Sequence, residues 1–434
     1  MTLARAVQVY QVARQGAWLA MMLALARSSV ALDEVGNLEA LRYLGLLLTG
    51  PLISAATTAY LRIRQTSPHA DRWFVFLTLF TLLSGLGVIG YLDYAGTPLA
   101  RVLLDFARLD HALPFGIYLM GSLMAALVTY EAIADGAHRR LLLFTALSYG
   151  WQVAAFVVPL WYGLPMAAVL WLLASTVLPR LGFLVWRYGR TRDARLPLAP
   201  ERRLFAAQTG SMLMYAGYGI VVTAVDLYLV GHRAADPEAA VALWRYGAQE
   251  IPFVLGIVGG ISTTALAEVR LGLAETLAAL RRRARQATHA LLGLAAVLMV
   301  ASPWVFGQVL GPEFYPAHVV FNTMLLVLPS RLVVTQPLII TEDMQTSMLG
   351  VGLGANAFNI GLSVALLPML GLLGVAVGTV VAFSLERLAY VLLLLRRGHG
   401  PGTYSNWREL LALSAGLVLL YLGCTRFEAL AAIG

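Results

Sequence analysis

The chain has 434 residues, 59% of them hydrophobic and only 12% charged, and its mean hydropathy is +0.75. A soluble protein carries roughly 25% charged residues, so a soluble enzyme is excluded, and the net charge of +8 reads as positive-inside membrane topology rather than nucleic-acid binding. The single cysteine, Cys424, excludes an internal disulfide and any Cys-based metal site.

A membrane span needs about 20 mostly apolar residues. The sequence predicts twelve, over 7–30, 38–61, 73–94, 112–134, 141–160, 164–186, 204–231, 241–267, 287–309, 316–340, 345–368 and 371–395. A further run from Leu410 to Cys424 is short, and reads either as a thirteenth span or as a segment in the interface. The first run contains Arg14 and lacks a small-residue cleavage site, so it reads as a retained span and not a signal peptide.

Most loop arginines fall on one side when the N-terminus is placed in the cytoplasm. The inner segments hold Arg62, Arg64, Arg139, Arg140, Arg202, Arg203 and the cluster Arg281–Arg285, among others, while the outer ones hold Arg101, Arg108 and Arg233. That asymmetry sets the predicted orientation. The longest outer loop, 95–111, is too short for a catalytic domain. The stretch Val269 to Arg285 carries Leu273, Leu277 and Leu280 at helical spacing ahead of an arginine cluster. It reads as an amphipathic helix on the inner membrane surface or as a solvated linker helix.

Two short patterns recur about half a chain apart. Ala40-Leu41-Arg42-Tyr43 returns as Ala242-Leu243-Trp244-Arg245-Tyr246, and Pro159 followed by Arg180-Leu181 returns as Pro368 followed by Arg387-Leu388. The two offsets are nearly equal, which points to duplication of a six-helix unit. Six is even, so the repeats are parallel, and transporters built this way place substrate near the midplane where the repeats meet. The expected fold is therefore an all-α integral membrane protein of twelve or thirteen spans, in two parallel six-helix repeats around a central cavity. Its expected parts are an N-terminal lobe over 1–190, a cytoplasmic linker over 191–203, a C-terminal lobe over 204–397 and a tail over 398–434.

Charged groups inside spans are expensive and mark function. The bases there are Arg14, Arg27, Arg42, Arg180, Arg245, Arg331 and Arg387, and the acids are Glu131, Asp226, Glu250 and Glu386. The arginine excess describes a cationic lumen suited to an anionic solute, a phosphate or pyrophosphate above all. Gln249 stands four residues after Arg245 and reaches the same helix face. Asp226, Glu250 and Glu131 are candidates for ion coupling or ion pairing. Glu386 and Arg387 are adjacent, so their side chains leave the helix about 100° apart and do not readily serve one site. Gly50-Pro51 and Pro252 are expected to kink their helices. No P-loop, paired-carboxylate or zincin pattern is present, and no metal or cofactor is called for.

Three stretches carry a family resemblance: Arg27 to Gly36 with its Asp33-Glu34-x-Gly turn; Asp226 to Gly231 followed by Tyr246-Gly-Ala; and Asn356 to Asn359 running through Pro368, Gly371 and Gly374 to Thr379. On these the chain resembles the O-antigen type of polysaccharide exporter in the multidrug/oligosaccharidyl-lipid/polysaccharide flippase superfamily. The resemblance implies two six-helix bundles around a hydrated cationic lumen. It further implies a flippase that carries undecaprenyl-pyrophosphate-linked oligosaccharide from the cytoplasmic to the outer leaflet of a bacterial or archaeal plasma membrane. Membrane lipids and glycan polymerases would be its partners, with coupling to H+ or Na+ open. Members that flip the peptidoglycan lipid precursor also resemble the chain and use arginines on helices one, two and eight. Arg27 matches the first, while Gln249 stands where the eighth-helix arginine would be. A multidrug extruder of the same superfamily is the other reading, and the arginine excess argues against it.

Overall fold

The computed structural model describes residues 3–66, 70–191, 195–198, 201–203, 225–232, 236–248, 273–342 and 344–431, with isolated positions among 204–272. Among these residues there is helix and connection but no strand. Apolar sequence dictates this, because in hydrocarbon a backbone must satisfy its own hydrogen bonds. Eight helical stretches among the described residues are long and apolar enough to cross a bilayer, so the chain is a multi-pass membrane protein. It divides into two compact units, Met1–Ala242 and Leu243–Gly434.

The first unit contains α1 (Leu3–Ala26), α2 (Leu32–Thr66), α3 (Ala70–Leu104), α4 (Ala112–Ala134), α5 (His138–Trp161), α6 (Met166–Ala174) and α7 (Val177–Tyr188). Helix α4 is its centre and packs on α2, α3, α5, α6 and α7. Small residues on α4 allow that crowding. A Cβ on Gly116 would lie 3.2 Å from the Ile89 backbone, and one on Gly121 only 3.1 Å from the Arg180 guanidinium. Trp73, Phe74, Met124 and Val128 close the apolar core around it.

Three sequence expectations change here. The first helix ends at Ala26, so Arg27 stands just beyond it rather than inside a span to residue 30. Helix α3 runs on to Leu104, so most of the expected outer loop 95–111 is helix. The sixth span is interrupted at Ser175-Thr176, where neither glycine nor proline signals a break.

Helix α8 (Pro237–Gly247) carries the division between the units. The second unit holds α9 (Leu273–Trp304), a π-helical turn (Val305–Leu310), α10 (Ala317–Leu325), α11 (Leu328–Arg331), α12 (Gln336–Thr341), α13 (Gln345–Leu370), α14 (Leu372–Arg396), α15 (Pro401–Tyr404) and α16 (Trp407–Ala431). Two expectations are corrected. The amphipathic stretch 269–285 is not a separate surface helix where it is described, because α9 continues without a break into the ninth span. The tenth span, expected as one helix over 316–340, is three short pieces interrupted at 326–327 and 332–335, next to Pro329 and Pro337. Broken backbone at membrane depth survives only when buried in protein or lining a wet cavity, and Val333, Val334 and Thr335 are indeed buried.

The motif from Asn356 to Thr379 forms a tight hairpin of α13 on α14. Gly371 takes φ 57° at its turn, and a Cβ on Gly374 would fall 2.6 Å from the Leu366 carbonyl carbon. The expected seventh span, and the eighth beyond residue 248, lie largely outside the described residues.

Candidate functional site

In the first unit the charge sits in the core. Arg180, on α7, is 1% exposed. Its Nε donates to Ser148 Oγ at 2.9 Å and its Nη2 to Gln152 Oε1 at 2.8 Å. Gln152 passes the chain on, donating to Tyr118 Oη at 3.2 Å. The Tyr118 ring lies 5.9 Å from the Arg180 guanidinium carbon. Arg180 Nη1 is buried with no hydrogen-bond acceptor. All these partners are neutral, and among the described residues no carboxylate pairs with Arg180. A buried ion without counter-charge is costly, so this guanidinium is a functional candidate. Ser148 and Gln152 are four apart on one face of α5 and hold the fork in place. The sequence reading missed both, although polar residues at that spacing in an apolar helix were the available signal.

Other predicted residues surround this core. Arg14 on α1 is exposed, with its guanidinium 6.0 Å from the Tyr10 ring, and Tyr10 and Tyr149 meet hydroxyl to hydroxyl at 3.3 Å. Arg42 lies over the Trp18 ring at 3.6 Å and pairs with the fully buried Glu39 at 3.2 Å. Arg27 is exposed. Glu131 is 2% exposed and in an ion pair with Arg187 at 2.8 Å. Arg187 also binds Asp71 at 3.1 Å, so one guanidinium joins α3, α4 and α7.

The Asp33-Glu34-x-Gly36 motif is not a turn between the first two helices but the start of α2, and it borders a cavity of about 310 Å³, lined also by Asn37, Arg108, Asp110 and His111. Gly36 is required there, because a Cβ would come within 2.1 Å of the Glu238 carbonyl oxygen.

In the second unit Arg331 ends α11, at the break in the tenth span. It stacks 4.2 Å over the ring of Phe383, which stands one turn before Arg387 on α14. Arg387 lies 5.3 Å from the Tyr390 ring and 3.8 Å from Glu386. The expectation that Glu386 and Arg387 diverge is therefore overturned. Long side chains close the 100° separation, and Tyr390 Oη fixes Glu386 by donating to it at 2.9 Å. Phe383 and Tyr390, four and three residues from Arg387 on the same helix, were not singled out from sequence. Arg245 is half-buried near the end of α8, beside Tyr246, whose ring contacts Phe314 at 4.4 Å. Asp226 is half-buried in a helical stretch. Gln249 and Glu250 lie outside the described residues, as does Pro252.

Neither a protein-family model nor a curated protein sequence matches the chain. Solved structures do match in fold. One is an inward-facing multidrug-resistance MATE transporter of the MOP superfamily, with a TM-score of 0.70 at 14% identity, covering 92% of this chain and 98% of that one. A second is the lipid II flippase MurJ in an inward closed conformation, with 0.71 at 11% identity, covering 98% and 92%. A third is a MOP superfamily transporter from Pyrococcus furiosus, described as having a binding pocket of reversed polarity, with 0.55 at 16% identity, covering 92% and 96%. The fold is thus that of MOP superfamily transporters, to which multidrug and lipid-precursor carriers both conform.

Proposed function

We propose that this protein is a flippase for an undecaprenyl-pyrophosphate-linked oligosaccharide. It carries the lipid from the cytoplasmic to the outer leaflet by alternating access through a cationic lumen, in the service of polysaccharide biosynthesis. The observation that supports it most is the pairing of like charges in the second unit. Arg331 stacks over Phe383, one turn of α14 before Arg387, so both guanidiniums serve the same face of that helix beside a broken membrane helix. Glu386, 3.8 Å from Arg387, counters the repulsion between them and leaves the three side chains with one net positive charge. A ligand with two or three negative charges complements that net charge, and planar guanidinium forks match phosphate oxygens two at a time. Arg180, buried on neutral partners, adds positive charge in the first unit. The likeness to a structure named as a lipid II flippase is consistent with this reading.

In this mechanism Arg14, Arg27, Arg42, Arg245, Arg331 and Arg387 offer the pyrophosphate successive partners, Gln249 assists Arg245, and the polyprenyl tail stays in lipid. Asp226, Glu250 and Glu131 are the acids assigned to ion coupling or ion pairing. The Glu131 carboxylate is engaged by Arg187. The test is glycan export in cells carrying Arg331→Gln together with Arg387→Gln. Each charged hydrogen bond to phosphate is worth about 1.5–3 kcal/mol, so export per molecule of protein should fall at least tenfold, with partial recovery in the Arg→Lys pair. Wild-type export by the glutamine pair at normal abundance would sink the assignment.

A further inference from the structure

The arginine cluster at 281–285 is the first part of α9, continuous with an apolar span, and the C-terminal segment comes back to meet it. Helix α16 packs along α9. Arg281 Nε donates to Asn406 Oδ1 at 2.6 Å, just before α16 begins, and Arg285 Nε donates to Glu409 Oε2 at 2.8 Å one turn on. The His289 ring reaches the same Glu409 oxygen at 3.2 Å. These contacts run in the same direction on both helices, so α9 and α16 enter the membrane side by side. They also place Arg282 and Arg408 at one level, between the two bonded pairs. Both are exposed, and no described residue pairs with either.

Below that level the two helices turn apolar. Their uncovered faces present Val297 and Val300 on α9 and Leu411 and Leu419 on α16, the last of these 69% exposed. The surface therefore repeats the profile of a phospholipid, with free guanidinium groups at headgroup depth and a hydrocarbon face beneath. Neighbouring Trp407 has the amphipathic ring that settles at that depth.

We propose that the α9–α16 junction is a binding surface for the phosphate headgroups of anionic phospholipids, with Arg282 and Arg408 making the contacts. Asn406 and Glu409 set the level by holding Arg281 and Arg285. The surface anchors the C-terminal helix to the bilayer and stands independently of what the protein transports.

Native mass spectrometry of the purified full chain in neutral detergent, titrated with phosphatidylglycerol, tests it. Each arginine near an anionic surface contributes roughly a fivefold change in affinity, so R282Q/R408Q should bind about 30-fold more weakly. It keeps Arg281 and Arg285, and with them the helix junction. R202Q/R203Q, which removes two exposed arginines from the first unit, should bind as the wild type does. Phosphatidylcholine should not reproduce the tight binding. Equal weakening in both double variants, or none in R282Q/R408Q, would overturn the site. So would displacement of the lipid by inorganic pyrophosphate, which would make it a site for soluble phosphate.

Discussion

Replacing Arg180 with methionine separates a charge kept for function from one kept for stability. Arg180 makes two hydrogen bonds, to Ser148 and Gln152, inside the first unit. Each charged bond is worth about 1.5–3 kcal/mol, so the substitution forfeits roughly 3–6 kcal/mol. It also removes the burial penalty of an ion with no counter-charge, which is itself several kcal/mol. These nearly cancel, and Arg180→Met is expected within about 2 kcal/mol of wild type. Arg187→Met is the contrast. It strands Glu131, which is 2% exposed, and breaking such a pair costs about 3–5 kcal/mol. Transport should show the reverse order. A unit charge about 10 Å from a doubly charged pyrophosphate contributes on the order of 3 kcal/mol at an effective dielectric of roughly 20. Arg180→Met should therefore reduce export about a hundredfold per folded molecule. Thermal unfolding in detergent and abundance-normalised glycan export measure the two sides. If Arg180→Met unfolds as early as Arg187→Met and the surviving protein exports normally, Arg180 is structural and the electrostatic argument is wrong.

Arg245→Glu should abolish export at normal abundance, because it sets a negative charge against the pyrophosphate path, and export at the wild-type rate would remove Arg245 from the site. Gly36→Ala drives a Cβ into the Glu238 carbonyl, and thermal unfolding should show a loss of about 1–3 kcal/mol from overpacking. Tyr404 is fully buried with an unsatisfied hydroxyl, and burial raises its pKa to about 12. Stability from this group is complete below the unfolded value near 10 and falls as pH rises from there towards 12. Tyr404→Phe should match or exceed wild-type stability at neutral pH and flatten that alkaline decline. A clear loss at pH 7 would show that the hydroxyl has a partner.

Composition and hydropathy made the membrane class and most helices legible, because a bilayer restricts the backbone to so few choices. Breaks within spans were harder to see. Pro329 and Pro337 were present in the tenth span, yet a long apolar window reads straight through them. At Ser175-Thr176 the sequence carries no breaker at all. The start of α16 is held by Arg281 on Asn406 and Arg285 on Glu409, contacts across more than 120 residues that no local pattern encodes. Among charges, the arginines stood out by cost alone. Their partners did not, since Ser148, Gln152 and Phe383 become meaningful only when helices bring them to a guanidinium. The Glu386–Arg387 reading failed because it treated side chains as spokes, whereas a guanidinium reaches several ångströms around its helix.

The most direct test of the central claim is translocation by purified protein in liposomes. The probe is a fluorescent polyprenyl-pyrophosphate oligosaccharide, compared with the same glycan on a neutral lipid. The account predicts protein-dependent flipping of the pyrophosphate-linked form, lost in Arg331→Gln/Arg387→Gln, with little movement of the neutral one. Failure to flip the pyrophosphate lipid, together with proton-driven uptake of a lipophilic cation, would contradict it and identify a multidrug extruder.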